Sequence, residues 1–185
     1  LTVISTPFDE QSVELAIDLD VDILKVASCS FTDWPLLEMI SQAEKPVIAS
    51  TAGQTLQDID KVVSYFLHRK IELALMHCVG EYPTALENLQ LNQITLLRDR
   101  YPSVPVGFST HEETDNFDSV CVALGKGARL FEKHVALETG QYKNPYRVGW
   151  EQFLSHVIAD TPMVSDYAAG IRDVQLAEAC IKSAE

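Results

Sequence analysis

Histidine side chains end two consecutive β-rich runs of the sequence, in the segments Ser109–His111 and Glu132–His134. Neighbouring parallel strands lie about 5 Å apart, so two imidazoles at matching heights can share one metal ion. Two histidines without a protein carboxylate leave coordination positions for water and substrate, as catalytic metal sites require. The pattern therefore predicts one divalent metal on His111 and His134. The alternative is that each is a hydrogen-bonded histidine at a strand end.

Lysines also end two of these runs, at Lys25 and Lys133. Because lysine is rarely buried without a partner, each is an anion-binding cation, a Schiff-base nucleophile or half of a salt bridge. For Lys133 the nearby salt-bridge partners are Glu132 and Glu112. In an acidic chain, such cations favour a phosphorylated substrate. Hydroxyl groups that could donate to a phosphate stand beside them at Ser28, Ser50, Thr51 and Ser109.

Two loops contain candidate contacts for a sugar. The segment His77–Thr84 follows the fourth β-rich run, and its Gly80 allows an unusual backbone turn. Tyr82 in this segment either hydrogen-bonds a substrate hydroxyl or serves as a cap over the fold. The loop at residues 143–146 follows the last β-rich run, so Asn144 and Tyr146 are predicted to contact the sugar.

Short apolar runs alternate with amphipathic helical patterns along the chain. Most runs lack period-2 alternation, which is typical of parallel strands buried on both faces. Such an alternation predicts a doubly wound sheet or a (β/α)8 barrel. The barrel is favoured because polar residues cluster at strand ends and no glycine-rich phosphate-binding fingerprint follows the first run. The predicted strands are Leu1–Ser5, Ile23–Ala27, Pro46–Ser50, Leu73–His77, Pro105–Ser109 and Arg129–His134.

The intervening segments predict helices, several of them with recognisable starts. Thr32-Asp33 is a plausible N-cap before Trp34-Pro35, and Thr55–Asp58 is a variant of the capping box. About six βα units result, and residues 1–185 are predicted to form one incomplete barrel domain. The predicted helices are Gln11–Leu19, Trp34–Ile40, Thr55–Leu67, Leu89–Arg98, Phe117–Leu124, Trp150–Ile158 and Tyr167–Ser183.

Composition restricts the class of protein. The chain has 185 residues, of which 46% are hydrophobic and 22% charged, as expected for a globular domain with a sizeable core. Its 14 Lys and Arg against 27 Asp and Glu give a net charge of −13, which disfavours nucleic acid as a partner. No apolar run approaches the roughly 20 residues of a membrane span. No signal peptide is visible and no C-x-x-C pair occurs, so a cytoplasmic protein with reduced thiols is expected.

Six segments along most of the chain stand in the order of the motifs of a known family. They are Ser5–Asp9, Lys25–Ser28, Pro46–Thr51, His77–Thr84, Val106–His111 and Glu132–Val135. Through them the chain resembles the N-acetylneuraminate (sialic acid) synthase family, which includes the spore-coat polysaccharide synthases. Thr110, Gly80 and the loop at 143–146 depart from the family's usual aspartate, its asparagine or serine, and its Gly-Pro-Asp loop. These departures indicate a divergent branch that handles a related sugar.

The resemblance implies a (β/α)8 barrel of which this chain supplies strands three to eight. The first two strands of that barrel and the small C-terminal antifreeze-like domain of the family are expected to be absent from residues 1–185. The chain alone is therefore expected to be inactive and to leave an open barrel edge. A homodimer is implied for the full-length protein.

The resemblance further implies condensation of phosphoenolpyruvate with an N-acyl amino sugar similar to N-acetylmannosamine. The products would be a nine-carbon 2-keto sugar acid and phosphate. Mn²⁺ or Mg²⁺ would bind His111 and His134, and Lys25, Ser50 and Ser109 would hold phosphoenolpyruvate. Two alternatives stay open: a Schiff-base aldolase with Lys25 or Lys133 as nucleophile, and an inactive sugar-binding fragment. Neither nucleic acid nor a membrane is expected as a partner.

Overall fold

Six parallel strands form one sheet in sequence order from β1 to β6. A computed structural model describes residues 2–112 and 117–133 of the chain. Each of the six predicted strands is confirmed, with ends that differ by a few residues. The strands are β1 Ile4–Ser5, β2 Ile23–Val26, β3 Val47–Ser50, β4 Leu73–His77, β5 Val106–Thr110 and β6 Phe131–Lys133.

Helices connect the successive strands. Five predicted helices are confirmed, and two others, Trp150–Ile158 and Tyr167–Ser183, lie outside the described residues. Short 3-10 helices at Ser28–Ser30 and Leu86–Asn88 follow β2 and β4. The α-helices are α1 Glu10–Asp18, α2 Trp34–Gln42, α3 Leu56–His68, α4 Asn92–Arg100 and α5 Asp118–Gly125.

Side-chain caps explain where the first three helices begin. The Asp9 carboxylate accepts a hydrogen bond from the Ser12 backbone N–H at 2.7 Å ahead of α1. Asp33 caps α2 in the same way, with a proline in the first turn. Thr55 Oγ1 accepts from the Asp58 N–H at 3.2 Å, which completes one half of the predicted capping box of α3.

Apolar side chains fill both faces of the sheet. The main core lies between the strands and the helices and contains Leu24, Phe66 and Phe108, which are fully buried or nearly so. A smaller cluster on the opposite face, called here the inner face, is formed by Ile23, Ile48, Ala74, Met76 and Leu130. Because both faces are covered, every residue of β3, β4 and β5 is buried, which explains the missing period-2 alternation.

One salt bridge shows how strongly the sheet curls. Lys25 Nζ on β2 lies 2.9 Å from a carboxylate oxygen of Glu132 on β6, although β6 is four strand positions from β2. In a flat sheet those strands would be about 19 Å apart, too far for the two side chains to span. The fold-class prediction is confirmed: the chain is α/β, with parallel strands that curl into part of a (β/α)8 barrel.

The first and last strands are the edges of the described sheet. β1 pairs with β2, and β6 pairs with β5. Within residues 2–112 and 117–133, the sheet order does not pair β1 with β6, so these six strands alone do not close a ring. The predicted domain range of 1–185 and the expected absence of flanking parts remain predictions. No helix within these residues has the length and apolar character of a membrane span.

Candidate active site at the carboxyl ends of the strands

A charged network crosses the inner face at the carboxyl ends of the strands. Lys25 and Glu132 stand two residues after Ile23 and Leu130, so strand alternation directs them to the same inner face. Lys25 Nζ donates to Glu132 Oε1 at 3.0 Å, and Ser109 Oγ donates to the same oxygen at 2.9 Å. Three strands thus bring one cation, one hydroxyl and one carboxylate together, and the binding of phosphoenolpyruvate by Lys25 and Ser109 stays a prediction.

Ser50 places an unsatisfied hydroxyl on the same face. It follows Ile48 by two residues at the end of β3 and is only 3% exposed. Its Oγ has no hydrogen-bond partner among the described residues. Because an unmade hydrogen bond of a buried hydroxyl costs about 1–3 kcal/mol, this atom is suited to donate to a ligand on the inner face.

Ser28 and Thr51 are already engaged in local hydrogen bonds. Ser28 Oγ accepts from the Ala52 N–H at 3.1 Å, and Thr51 Oγ1 donates to the Met76 carbonyl at 3.1 Å. Both line a cleft of about 860 Å³ whose other walls come from α3, α4 and the loop after β4. The predicted hydroxyls therefore divide into two groups. Ser28 and Thr51 line this cleft, whereas Ser50 and Ser109 lie outside it, as Lys25 does.

Gly80 also lines this cleft, in a conformation that does not require glycine. Among the described glycines, Gly53 and Gly127 adopt left-handed φ values of 72° and 95°, whereas Gly80 does not. Gly80 therefore does not use the left-handed conformation that glycine would allow it. A Cβ atom at this position would meet Ala52 Cβ at 3.9 Å, an ordinary contact.

The loop after β4 holds the imidazole of His111. His111 Nδ1 lies 2.8 Å from the Val79 carbonyl oxygen, which can only accept, so Nδ1 carries the proton. His111 Nε2 lies 2.7 Å from the Tyr82 hydroxyl. The two rings are stacked, with centroids 3.9 Å apart and planes inclined by 23°. Sequence reasoning placed Tyr82 on this rim but did not identify its contact with His111.

The arrangement of His111 suits a metal ligand. Metal-bound histidines commonly donate the N–H of the other ring nitrogen to a backbone carbonyl, which presents the remaining nitrogen to the metal. Val79 provides such a carbonyl for His111. Residues 2–112 and 117–133 contain no group of three or more His, Cys, Asp or Glu side chains that could hold a metal ion. The predicted second ligand, His134, lies outside the described residues, as do Asn144 and Tyr146.

His77 has a structural role at the end of β4. Its side chain is buried and stacks on Phe108 with ring centroids 6.0 Å apart. Burial lowers the pKa of this imidazole below its ordinary value, and Nε2 lies 2.8 Å from the Leu89 carbonyl. A neutral His77 that donates this bond ties the strand to the segment before α4.

Lys133 lies on the helix-facing side of β6. Its neighbour Glu132 faces inward, so alternation turns Lys133 away from the inner face. Lys133 Nζ pairs with Glu112 at 3.3 Å and lies 5.6 Å from the centre of the Phe117 ring. Glu112 is buried and also accepts a short hydrogen bond from Ser119 on α5. This position favours the salt-bridge alternative for Lys133 over contact with a substrate.

Glu132 is the site residue that sequence reasoning missed. It appeared there only as a partner for Lys133, whereas in the structure it joins Lys25 to Ser109. Strand alternation could have identified it from the sequence. If His134 is predicted to face inward, Glu132, two residues earlier, must face inward too, and Lys133 between them must face outward.

Comparisons with known proteins point to one family. The model of the NeuB family matches residues 1–153. An N-acetylneuraminate-9-phosphate synthase of Drosophila melanogaster is 34% identical over 148 residues, which cover 80% of this chain and 39% of that protein. A pseudaminic acid synthase of Campylobacter jejuni is 29% identical over 182 residues, which cover 97% of this chain and 52% of that protein.

A structural comparison supports the fold. The matching structure is that of a candidate spore coat polysaccharide biosynthesis protein E from Chromobacterium violaceum, with 45% identity and a TM-score of 0.74. The match covers 95% of this chain and 55% of that one. The chain thus spans about two fifths to just over half of the length of these three proteins.

Proposed function

The chain belongs to the NeuB family, and from that premise we propose that it forms the substrate-binding wall of a phosphoenolpyruvate-dependent sugar-acid synthase. One observation carries the proposal. A cation, two hydroxyls and a carboxylate from four strands stand at the carboxyl ends of one curled sheet, where barrel enzymes place their chemistry.

The proposed reaction joins two substrates. C3 of phosphoenolpyruvate attacks the aldehyde carbon of an open-chain N-acyl amino sugar, and one carbon–carbon bond forms. Water then adds to C2 of the phosphoenolpyruvate moiety. The tetrahedral intermediate breaks its C2–O bond and expels inorganic phosphate. With a six-carbon sugar such as N-acetylmannosamine, the product is a nine-carbon 2-keto acid.

Lys25, Ser50 and Ser109 are the proposed anchors of phosphoenolpyruvate. A lysine ammonium and hydroxyl donors suit phosphate and carboxylate oxygens. The Ser50 hydroxyl has no competing partner among the described side chains, so a ligand gains its hydrogen bond without breaking another. Glu132 holds Lys25 Nζ and Ser109 Oγ at one carboxylate oxygen. Lys25 keeps further ammonium protons for a ligand, whereas Ser109 donates to phosphoenolpyruvate only when its single O–H turns away from Glu132. Holding C3 of phosphoenolpyruvate next to the aldehyde carbon of the sugar lowers the activation free energy, because the reacting atoms are already oriented.

His111, together with His134, is the proposed ligand pair for Mn²⁺ or Mg²⁺. When bound there, a divalent cation supplies Lewis-acid polarisation of the sugar aldehyde. The contribution of this chain is to fix the His111 tautomer through Val79, so that Nε2 is the coordinating nitrogen.

The remaining predicted contacts concern the sugar and the assembly. Tyr82, Asn144 and Tyr146 are proposed to contact the amino sugar, and the hydroxyls of Ser28 and Thr51 border the cleft beside it. We also propose a homodimer and a cytoplasmic location for the intact protein.

The geometry does not favour the Schiff-base aldolase. A lysine nucleophile must present its nitrogen lone pair to a carbonyl carbon. Lys25 Nζ is instead paired with Glu132, and Lys133 Nζ with Glu112. An inactive sugar-binding fragment remains the alternative for the isolated chain.

Two treatments of the intact protein separate these functions. The proposed synthase should lose its activity when a chelator removes divalent metal and regain it when Mn²⁺ is returned. It should not be labelled covalently by pyruvate plus borohydride. Covalent labelling that is abolished by Lys25→Met would identify the aldolase instead. Binding of an N-acyl amino sugar without turnover of phosphoenolpyruvate would identify the sugar-binding protein.

A further inference from the structure

We propose that the ring of Tyr82 is a positioning element that sets the plane of the His111 imidazole and thereby strengthens metal binding at Nε2. The proposal deepens the proposed function, because it rests on His111 as a metal ligand. It gives Tyr82 a role that does not require contact with a substrate.

The first observation concerns rotation of the imidazole. The Val79 carbonyl holds His111 Nδ1 at 2.8 Å. This hydrogen bond fixes the tautomer and one point of the ring. A flat group stacked on the imidazole restrains its tilt about that point and helps to keep Nε2 directed to one place.

The second observation is that Tyr82 supplies a restraint of this kind. Its ring lies over the imidazole, with centroids 3.9 Å apart and planes inclined by 23°. A tyrosine stacked in this way can bring its hydroxyl to 2.7 Å from Nε2 only from the face of the imidazole. The in-plane direction, along which a histidine nitrogen bonds a metal at about 2.1 Å, is therefore not the direction of the hydroxyl contact.

The third observation is that the loop around Tyr82 is itself fixed to the strand that carries His111. The Thr84 backbone N–H donates to the His111 carbonyl at 3.1 Å. Thr84 Oγ1 donates to the Glu81 carbonyl at 2.6 Å, and Asn88 Nδ2 donates to the Glu81 carboxylate at 3.1 Å. Glu81 before Tyr82 and Thr84 after it are thus both held by hydrogen bonds, which fixes the tyrosine ring relative to the imidazole.

If the ring and not the hydroxyl positions His111, two substitutions at Tyr82 should differ. Tyr82→Phe keeps the stacked ring and removes the hydroxyl, whereas Tyr82→Leu removes both. Loss of a group that orients a metal ligand typically lowers metal affinity 10- to 100-fold. We expect the dissociation constant for Mn²⁺ to stay within about twofold in Tyr82→Phe and to rise at least about tenfold in Tyr82→Leu.

The experiment is a titration of the intact protein with Mn²⁺ alone, followed by calorimetry or by the paramagnetic signal of free Mn²⁺. Tyr65→Leu is the matched control, because Tyr65 packs edge-on against Trp34 and Phe66 away from His111. Its Mn²⁺ affinity should equal that of the wild type. An unchanged affinity in Tyr82→Leu, or an equal loss in Tyr82→Phe, would overturn the proposal. Tyr82→Met replaces Tyr82→Leu if the latter does not fold.

A second measurement tests the positioning role without metal. In the metal-free protein, the NMR signals of the His111 ring should be sharp in both wild type and Tyr82→Phe. They should broaden in Tyr82→Leu, because the imidazole then samples several tilts. Line widths in Tyr82→Leu equal to those of the wild type would contradict the proposal. Failure of the wild type to bind Mn²⁺, with these NMR differences present, would overturn the effect on metal binding together with the proposed metal site and leave only the positioning of the imidazole.

Discussion

At the scale of single residues, the buried and unpartnered Ser50 hydroxyl gives a sharp test of ligand binding. Ser50→Ala removes a polar group that no other described side chain satisfies, so the free protein should be as stable as wild type or slightly more stable. The same change should raise the KM for phosphoenolpyruvate at least about tenfold, since a lost hydrogen bond to a charged group costs about 1.5–3 kcal/mol. Urea denaturation and initial rates measure the two effects.

Ser41→Ala is the control for that substitution. Ser41 is buried as Ser50 is, but its hydroxyl donates to the Glu38 carbonyl at 2.8 Å. We expect Ser41→Ala to lower stability and to leave the KM for phosphoenolpyruvate unchanged. A loss of stability in Ser50→Ala without a change in KM would argue against Ser50 as an anchor.

Lys133 gives a second residue-scale prediction. Lys133→Met should destabilise the protein by about 3 kcal/mol, because it leaves the buried Glu112 carboxylate without its cation. Adding Glu112→Gln should recover a large part of that loss, since the uncompensated charge is then removed. The free energy of unfolding in urea measures both variants. A single variant as stable as wild type would show that the pair contributes little.

Among the described residues, the sequence selected most of the side chains that the structure brings together at the strand ends, but not their grouping. Strand-end position was sufficient to select Lys25, Ser109 and His111, because parallel strands bring their carboxyl ends to one rim. The inward role of Glu132 follows from period 2 once β6 is placed. The hydrogen bond from His111 to the Val79 carbonyl had no sequence signal, because it involves a backbone atom that every residue possesses.

At the scale of elements, a surface clamp joins α3 to the end of α4. Arg100 on α4 donates two hydrogen bonds to Asp60 on α3, at 2.8 and 2.6 Å, and the Tyr101 hydroxyl donates a third at 2.6 Å. The hydrogen bonds from Arg100 and Tyr101 lower the pKa of Asp60 to about 2. These two helices also form walls of the cleft beside the site.

The clamp predicts a defined pH dependence of stability. The pKa of Asp60 is lower in the folded than in the unfolded protein, so its contribution is complete above about pH 5 and declines as pH falls toward 2. The stability difference between wild type and Asp60→Asn should therefore shrink across this window in urea denaturation at stepped pH. A difference that stays constant from pH 5 to 2 would show that Asp60 is not bound by Arg100 in solution.

Most elements could be predicted from patterns, with one informative difference at α4. The predicted helix started at Leu89, whereas α4 begins at Asn92. Residues Leu86–Asn88 form a separate 3-10 turn, and Gln90 has a φ of 49°, which interrupts a continuous helix. A left-handed glutamine has no reliable sequence signal, so the boundary could not be placed from apolar spacing alone.

At the scale of the whole molecule, one glycine permits the curled sheet to pack. A Cβ atom on Gly107 would lie 2.7 Å from the Leu130 carbonyl oxygen and would also collide with Met76. Gly107→Ala should therefore destabilise the protein by about 1–3 kcal/mol. Gly125→Ala is the control, because no atom lies within 4 Å of its Cβ position. Thermal unfolding of both variants provides the comparison, and equal midpoints would contradict the close approach.

The sequence predicted a barrel fold, but not how strongly the sheet curls. Six apolar runs, most without period-2 alternation, and polar strand ends predicted a barrel wall, but the distance across it follows from the Lys25–Glu132 contact. Side-chain contacts between residues 107 positions apart have no local sequence pattern. The match of residues 1–153 to the NeuB family and the curled sheet both support the proposed sugar-acid synthase reaction.

The most direct test of that chemistry follows the oxygen that bridges C2 and phosphorus in phosphoenolpyruvate. The intact protein is supplied with Mn²⁺, an N-acyl amino sugar and phosphoenolpyruvate labelled with ¹⁸O at this oxygen. We predict that phosphate is released only when the sugar is present and that the label leaves with phosphate, because the C2–O bond breaks. Label retained in the keto acid, or phosphate release that does not depend on the sugar, would contradict the account.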